Sequence, residues 1–343
     1  MGELMKNGCT TCFDHHYVFP ANCGDLIGAQ LDAARALGMR MVCSRGSMDL
    51  SVKDGGLPPD SVVQSVDEIM KDSARIIETY HDPSFGSMQQ IVLAPCSPFS
   101  VSGELLRQSA LLARQYGVRL HTHLAETKDE ERYTLERFGM RPLAYMQSLG
   151  WVGNDVWYAH GIHFNDEELK LLAETGTGVA HCPVSNMKLS SGIARVPEML
   201  RLGVHVGLAV DGSASQDGSD LLEEIRICYL LHRLNSSFAA PSGYDVLKLA
   251  TRGSASLLGR TDIGSLEVGK CADLFLVDSR RLELVGATYD PKSVFGTVGL
   301  RAPVDYVVVQ GRVTVDQQHL TGIDEARTAQ EARVICDEYL GNL

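Results

Sequence analysis

The stretch Val118–Glu126, VRLHTHLAE, holds two imidazoles and a carboxylate close together. Apolar and polar residues alternate through it, which is the period of a strand. Side chains two apart share a strand face, so His121 and His123 look the same way and Glu126 falls just past the strand end. A neutral imidazole is a good ligand for a transition metal, and a nearby carboxylate can move protons. Two histidines satisfied inside a core are the structural alternative, and this stretch alone does not separate the two.

Further candidates end other apolar runs: His160, His181 and Asp211. Each has an ordinary reading. His181 precedes Cys182-Pro183 and reads as a packing or pocket-wall residue. Asp211, followed by Gly212, reads equally as a turn. With His123 and Glu126 they match what a metal hydrolase needs: ligands that leave a position for water, a carboxylate that shuttles protons, and a group that orients the hydroxide.

The elements that position these residues follow a regular rhythm. Ser65-x-x-Glu68, Thr127-x-x-Glu130 and Asn165-x-x-Glu168 are capping-box patterns that open helices. Gly38, Gly117, Gly150, Gly176 and Gly203 close helices before strands, and Gly139 closes one before a short helix that Pro142 opens. Seven strands are expected, beginning at about residues 10, 39, 90, 118, 156, 177 and 204. Strands alternating with helices imply a parallel sheet. The strands are apolar through most of their length, as strands covered on both faces should be. An open doubly wound sheet gathers its site at one switch point. Here four separate strands end in polar candidates, which favours a barrel whose strand ends converge on one mouth. The last helices of this part are expected over Leu221–Leu234 and Tyr244–Leu258. After about Asp262 the pattern changes to a small β layer, with a strand at Ala272–Val277 and a hairpin of Tyr306–Val309 with Arg312–Asp316. A polar helix, Asp324–Tyr339, ends the chain. The expected division is residues 1–261 for the barrel and 262–343 for the β layer and terminal helix.

Bulk properties narrow the function. Net charge is -12, from 43 acidic and 31 basic residues, with no basic block, so nucleic acid is a poor partner. No apolar run reaches the roughly 18 residues of a membrane span. The nine cysteines are an odd, scattered set without a signal peptide, which reads as a reduced, cytoplasmic protein. Cys9 and Cys12 form a lone CxxC; on a strand, residues three apart face opposite ways, so core packing is expected rather than a zinc knuckle. GSLEVGK (Gly264–Lys270) imitates a Walker A loop, but Cys271 follows and then a strand, so a hairpin turn is expected. Gly176-Thr177-Gly178 lacks the third glycine of a dinucleotide fingerprint. No G-x-S-x-G elbow is present.

HTHLAET (His121–Thr127), AHGIHF (Ala159–Phe164), HCPVSNMKLSSGIA (His181–Ala194) and AVDGSASQ (Ala209–Gln216) resemble the metal-dependent amidohydrolase superfamily. The branch is the one that holds cytosine and guanine deaminases and triazine hydrolases. GSLEVGKCADLFLVD resembles that branch's C-terminal β layer. RGSMD, GGLPPDSVV and APCSPFSVS (Ala94–Ser102) are most similar to 8-oxoguanine deaminases. The resemblance implies a distorted (β/α)8 TIM barrel with part of a small β-sandwich domain, and one divalent metal ion, zinc or Fe2+. It makes His123 a metal ligand, Glu126 the proton shuttle, Asp211 both ligand and base, and His160 the group near the metal that orients hydroxide. His121 is then the structural histidine of its pair. Cys96, Ser97, Asn186 and Ser215 are the candidates for a wall that holds a flat heterocycle.

The chain departs from that family in two ways. Members have a first barrel strand ending in His-x-His, which supplies two ligands. No such strand precedes Cys9, and His15-His16 are adjacent, so both cannot face one centre from a strand. The expectation is a barrel lacking its first strand, with unpaired edges at the strands near residues 10 and 204. Such a chain should hold metal weakly, lack activity and associate with itself; a truncated record and a non-catalytic relic are the two explanations. Second, nucleoside deaminases of the branch often carry histidine where Cys96 stands, so a free base is the expected substrate: 8-oxoguanine, with guanine, cytosine or hydroxytriazines as alternatives.

Overall fold

The computed structural model describes residues 1–20 and 22–341. Strands β1 (Thr11–Asp14), β2 (Arg40–Ser47), β3 (Gln89–Pro95), β4 (Arg119–Leu124), β5 (Val156–His160), β6 (Gly178–His181) and β7 (Val206–Leu208) form one sheet in chain order. Every neighbouring pair is parallel. Helices α1 (Gly2–Lys6), α2 (Leu26–Leu37), α3 (Val66–Tyr80), α4 (Gly103–Tyr116), α5 (Lys128–Phe138), α6 (Pro142–Ser148), α7 (Asp166–Thr175), α8 (Pro183–Lys188), α9 (Val196–Leu202), α10 (Ser213–Gln216) and α11 (Leu221–Ser236) are interleaved with them.

The sheet is strongly curled. In a flat sheet β1 and β5 would lie four strand spacings, about 19 Å, apart. Instead the Phe13 ring of β1 meets the Trp157 ring of β5 edge-on, with centroids 5.1 Å apart. Phe13 and Trp157 belong to an inner cluster with Val42, Val92, Ala94, Ala180 and Leu257. A larger cluster fills the layer between strands and helices. The strands are therefore covered on both faces, and β2, β5, β6 and β7 are buried throughout.

Local signals explain most boundaries. Ser65 with Glu68 and Asn165 with Glu168 form reciprocal capping boxes. Gly38, Gly117, Gly139, Gly176 and Gly203 end their helices in the left-handed region. Thr127 caps α5, but Glu130 does not return the bond; its carboxylate turns back to the Ala125 amide at 2.7 Å. The expected helix Tyr244–Leu258 is divided into Gly243–Lys248, a π turn Leu249–Gly253, and Ser254–Leu257.

That irregular segment alters the expectation of two bare edges. The Ser254 hydroxyl accepts from the Leu208 amide at 3.1 Å and donates to the Leu208 carbonyl at 3.0 Å. Gly253 lies so close that a Cβ there would stand 2.1 Å from the Val206 carbonyl oxygen. The outward edge of β7 is thus capped by its own chain. Among the described residues, only the outer edge of β1 within this sheet is left without a strand or a cap of this kind.

The second sheet is antiparallel, in the order β11-β10-β9-β8, from β8 (Leu274–Leu276), β9 (Tyr306–Val309), β10 (Arg312–Asp316) and β11 (His319–Leu320). β8 pairs with β9, and no strand precedes Gly264–Lys270 in this sheet. GSLEVGK is therefore a turn without the expected hairpin, tied by Lys270 to the Ser265 hydroxyl at 2.7 Å. Arg40, wholly buried at the start of β2, joins the two sheets. It reaches both Asp273 carboxylate oxygens at 3.1 Å, the Gly86 carbonyl at 2.8 Å, the Ser87 carbonyl, and the Gln310 side chain at 3.0 Å. The helix Glu325–Gly341 buries no residue. No helix among the described residues is long and apolar enough to cross a membrane.

Candidate active site

β4 delivers its two histidines to one face with different outcomes. His121 is buried against Trp157, with centroids 4.8 Å apart, and its Nδ1 pairs with the Trp157 carbonyl at 3.1 Å. Burial, with His15 and His123 alongside, drives its pKa far down, so it is a neutral core ring. His123 donates from Nδ1 to the Cys96 carbonyl at 2.6 Å. Burial opposes charge on this ring too, but its contacts with Cys96 outweigh that and raise its pKa. With Nδ1 committed, the neutral ring keeps its lone pair on Nε2.

Past the strand the backbone turns sharply. Ala125 has φ 54°, a conformation unusual for alanine. Three bonds hold it: its amide to Glu130, and its carbonyl from the Ile162 and His163 amides, both at 2.9 Å. Glu130 is buried, and desolvation pushes its pKa up to about 8. This turn presents Glu126, whose side chain is 23% exposed and whose Oε2 lies 3.7 Å from His160 Nε2. Ser191 donates to the other Glu126 oxygen at 3.3 Å.

His160 ends β5 and also has a left-handed backbone, φ 71°. Its ring stacks on His123, with centroids 5.5 Å apart, and its Nδ1 meets the Asn186 carboxamide oxygen at 3.0 Å. Asp211, φ 67°, follows β7. It accepts from the Ser185 hydroxyl at 2.5 Å and the Gly212 amide at 2.6 Å. Burial disfavours its charge, yet the Ser185 hydroxyl, the His160 ring and the Gly212 amide hold its carboxyl below the usual value.

The structure brings in residues that the sequence analysis had set aside. His15, just beyond β1, stacks on His123 at 4.7 Å and meets the Ala94 carbonyl through Nε2 at 2.9 Å. Its Nδ1 is buried without a partner among the described residues. His16 turns away onto Phe19, so the adjacent pair does face two ways. Tyr17 packs edge-on against His15 and His123, and burial pushes its phenol up to about 12. Only the curl of the sheet brings β1 to β4, and no local pattern in DHHY signals it.

The candidate wall residues divide. Cys96 lies beside His123 and offers its carbonyl to His123 and Thr122. Ser97 sits half-buried in the same loop, within 3.5 Å of the Ser100 hydroxyl. Ser215, on α10, turns its hydroxyl to the Gly212 carbonyl at 3.0 Å. Asn186 is fully buried against His160, and among the described residues its amide nitrogen has no partner. A concavity of about 580 Å³ with Phe19, Cys23, Asp25, Gln64 and Arg75 in its lining shares no residue with the histidine cluster.

Two groups have donors suited to a metal. His123 and His160 each commit one ring nitrogen to a neighbouring oxygen, and His15 does the same, which is the usual support of a ligand imidazole. With the Asp211 carboxylate held ionised, this chemistry fits a divalent ion. As they stand, though, His123, His160 and Asp211 do not bring three ligand atoms within 4.8 Å of one another. Among the described residues, His181, Cys228 and His232 do. There the two Nε2 atoms are 3.3 Å apart, neither Nδ1 has a partner, and burial takes His232 down to about 4 and the Cys228 thiol well up. Without an oxygen behind either ring, that group is a neutral donor–acceptor pair packed on a thiol. His181 thus has the packing place expected of it. Cys9 and Cys12 are free thiols with pKa values raised by burial, Cys12 to about 12.

Comparison with known proteins places this architecture. The profile of the Amidohydrolase family matches residues 1–314. An 8-oxoguanine deaminase from Pseudomonas aeruginosa is 48% identical over 326 residues, 95% of this chain and 72% of that protein. A hydroxydechloroatrazine ethylaminohydrolase from Pseudomonas sp. strain ADP is 43% identical over 336 residues, 97% of this chain and 69% of that protein. The crystal structure of an atrazine chlorohydrolase from Arthrobacter aurescens TC1 complexed with zinc superposes with a TM-score of 0.93 at 33% identity, over 96% of this chain and 73% of that one. The seven parallel strands are accordingly an amidohydrolase barrel, open at one place, with a small antiparallel sheet beside it. The chain belongs to the amidohydrolase family, in the branch of the triazine hydrolases and purine deaminases, and is a hydrolase of C–N bonds.

Proposed function

We propose that this chain is a hydrolytic deaminase of a free purine base, converting 8-oxoguanine to urate and ammonia. The observation that carries the reading is the gathering of His123, Glu126, His160 and Asp211 at the ends of β4, β5 and β7, three of them anchored by a partner that directs the reactive atom. The purine assignment rests on the likeness to the Pseudomonas aeruginosa 8-oxoguanine deaminase and on cysteine, not histidine, at position 96.

In this reading water adds to the ring carbon that bears the amine: a C–O bond forms, the C–N bond breaks, and ammonia leaves. Glu126, open to solvent on one side, takes one of the two protons of the attacking water and passes it to the ring nitrogen. Asp211, ionised at neutral pH, accepts the other and delivers it to the departing ammonia. His160 orients the attacking oxygen from the Glu126 side. A divalent metal, zinc or Fe2+, held by His123 and Asp211 with His160 beside it, would supply hydroxide at neutral pH by lowering the pKa of water toward about 7. Cys96, Ser97 and Ser215 form the wall against the heterocycle.

The same reading makes the protein cytoplasmic, with a small heterocycle and no nucleic acid as partner. It treats residues 1–261 and 262–343 as the two structural units, and the remaining edge of β1 as a route to a homo-oligomer. The test is an ammonia-release screen over 8-oxoguanine, guanine, cytosine and hydroxytriazines. It is run on the 343-residue chain and on a fusion carrying the N-terminal segment of the Pseudomonas aeruginosa relative. Activity confined to triazines or cytosine rules out the purine assignment.

A further inference from the structure

The segment Ser185–Ser191 touches Asp211, His160 and Glu126, each through one hydrogen bond. The Ser185 hydroxyl donates to Asp211, the Asn186 oxygen meets His160 Nδ1, and the Ser191 hydroxyl donates to Glu126. The segment is itself a closed unit, with the Ser191 amide bonded to the Asn186 carbonyl at 2.9 Å and the Leu189 amide to the Ser185 carbonyl at 2.9 Å. It is braced from below, where the wholly buried Glu224 of α11 accepts from the Val184 amide at 3.2 Å. Ser185 and Asn186 are buried, so neither presents its side chain to a bound heterocycle.

We infer that Ser185–Ser191 is the positioning element of the site, and that Asn186 acts through His160 by fixing its tautomer rather than by contacting substrate. The inference rests on the deaminase reading above for the roles of the three residues it holds. A carboxamide oxygen accepts only, so His160 Nδ1 must donate to it. In the neutral ring the lone pair then lies on Nε2, which is the nitrogen that faces Glu126. The opposite tautomer would put a proton on Nε2 and remove the acceptor from the side where a proton is to be moved. Ser185 occupies one oxygen of Asp211 while the Gly212 amide takes the other, which fixes the carboxylate plane.

The tautomer is measurable on the chain whether or not it turns over. Long-range 1H–15N spectra of histidine-labelled protein at pH 8 to 9, with His160 identified by its loss in His160→Gln, show which ring nitrogen carries the proton. The expected result is Nδ1–H and bare Nε2 in the wild type, the same pattern in Asn186→Asp, which keeps an accepting oxygen, and conversion toward Nε2–H in Asn186→Leu. An Nε2–H ring in the wild type overturns the inference, and so does an unchanged ring in a folded Asn186→Leu. If the leucine variant does not fold, the wild-type and Asn186→Asp spectra decide the matter. In a preparation that releases ammonia, Asn186→Leu should lower kcat about 10-fold or more at nearly constant KM, whereas a substrate-contact role would raise KM. Failure of the purine screen leaves the tautomer result intact, so the two readings fail separately.

Discussion

Replacing Arg40 tests how the barrel and the second sheet are held together. Its guanidinium is fully buried and makes a two-pronged pair with Asp273, itself 2% exposed. It also satisfies the Gly86 and Ser87 carbonyls and the Gln310 side chain. Arg40→Met keeps much of the stem volume and removes all of these donors. Among the described residues, Asp273 would then keep the Gln310 backbone amide, 2.8 Å from one oxygen. Removing one partner of a buried pair typically costs about 3–5 kcal/mol, because the other charge is left without compensation. The buried carbonyls add to this, although Arg260 still reaches the Ser87 carbonyl at 3.1 Å. The expected loss is therefore about 4 kcal/mol, a large share of the ~5–15 kcal/mol of a typical domain. Replacing both partners, Arg40→Met with Asp273→Leu, should recover part of it, since an apolar pair leaves no buried charge. Urea unfolding followed by tryptophan fluorescence reads both. Trp157 lies in the inner cluster and Trp151 is fully buried. A loss under about 1 kcal/mol in the single variant, or no recovery in the double, would refute the reasoning.

In a preparation that turns over, Glu126→Gln should retain metal on elemental analysis while turnover falls by about 10²–10⁴-fold. Near-normal turnover would exclude a shuttle, and loss of metal would make Glu126 a ligand. Glu130, with a folded pKa of about 8, binds a proton that the unfolded chain has released above its ordinary value near 4.5. Its contribution to stability is thus full below about pH 4.5 and is lost as pH rises to about 8. Glu130→Gln, which still offers an oxygen to the Ala125 amide, should reduce that downward slope by up to about 1.4 kcal/mol per pH unit. Urea titrations at pH 5 to 9 check it, and an unchanged slope contradicts a neutral buried carboxyl. Gly253→Ala should destabilise by about 1–3 kcal/mol, because overpacking against the Val206 carbonyl outweighs alanine's better helix propensity. A higher urea midpoint would mean that the β7 edge is not capped so closely.

Most of the strands were readable because they are apolar runs that follow a helix-ending glycine, and Gly38, Gly117, Gly150, Gly176 and Gly203 do take the left-handed turn; β3 instead follows α3, which His81 ends in an extended conformation. His123, Glu126, His160 and Asp211 were readable because polar residues at the ends of parallel strands face one mouth. What escaped depends on the third dimension. His15 reaches His123 only because the sheet curls β1 back toward β4. Glu130 fits a capping box in sequence, yet the strained Ala125 amide is the stronger claimant for its carboxylate. The break in the helix over residues 243–257 comes from the close passage of Gly253 and Ser254 along β7, a contact with no local signature. Asn186 was a plausible wall residue by its motif, and only the bond to His160 shows which way its carboxamide faces.

The most direct test of the account follows 8-oxoguanine turnover in water enriched in 18O, with urate and ammonia quantified together. Hydrolytic deamination predicts one ammonia per urate and one 18O atom in each urate formed, with Glu126→Gln suppressing both products in parallel. No urate from 8-oxoguanine alongside ammonia release from cytosine or a hydroxytriazine would contradict the purine assignment, and urate without 18O would contradict attack by water.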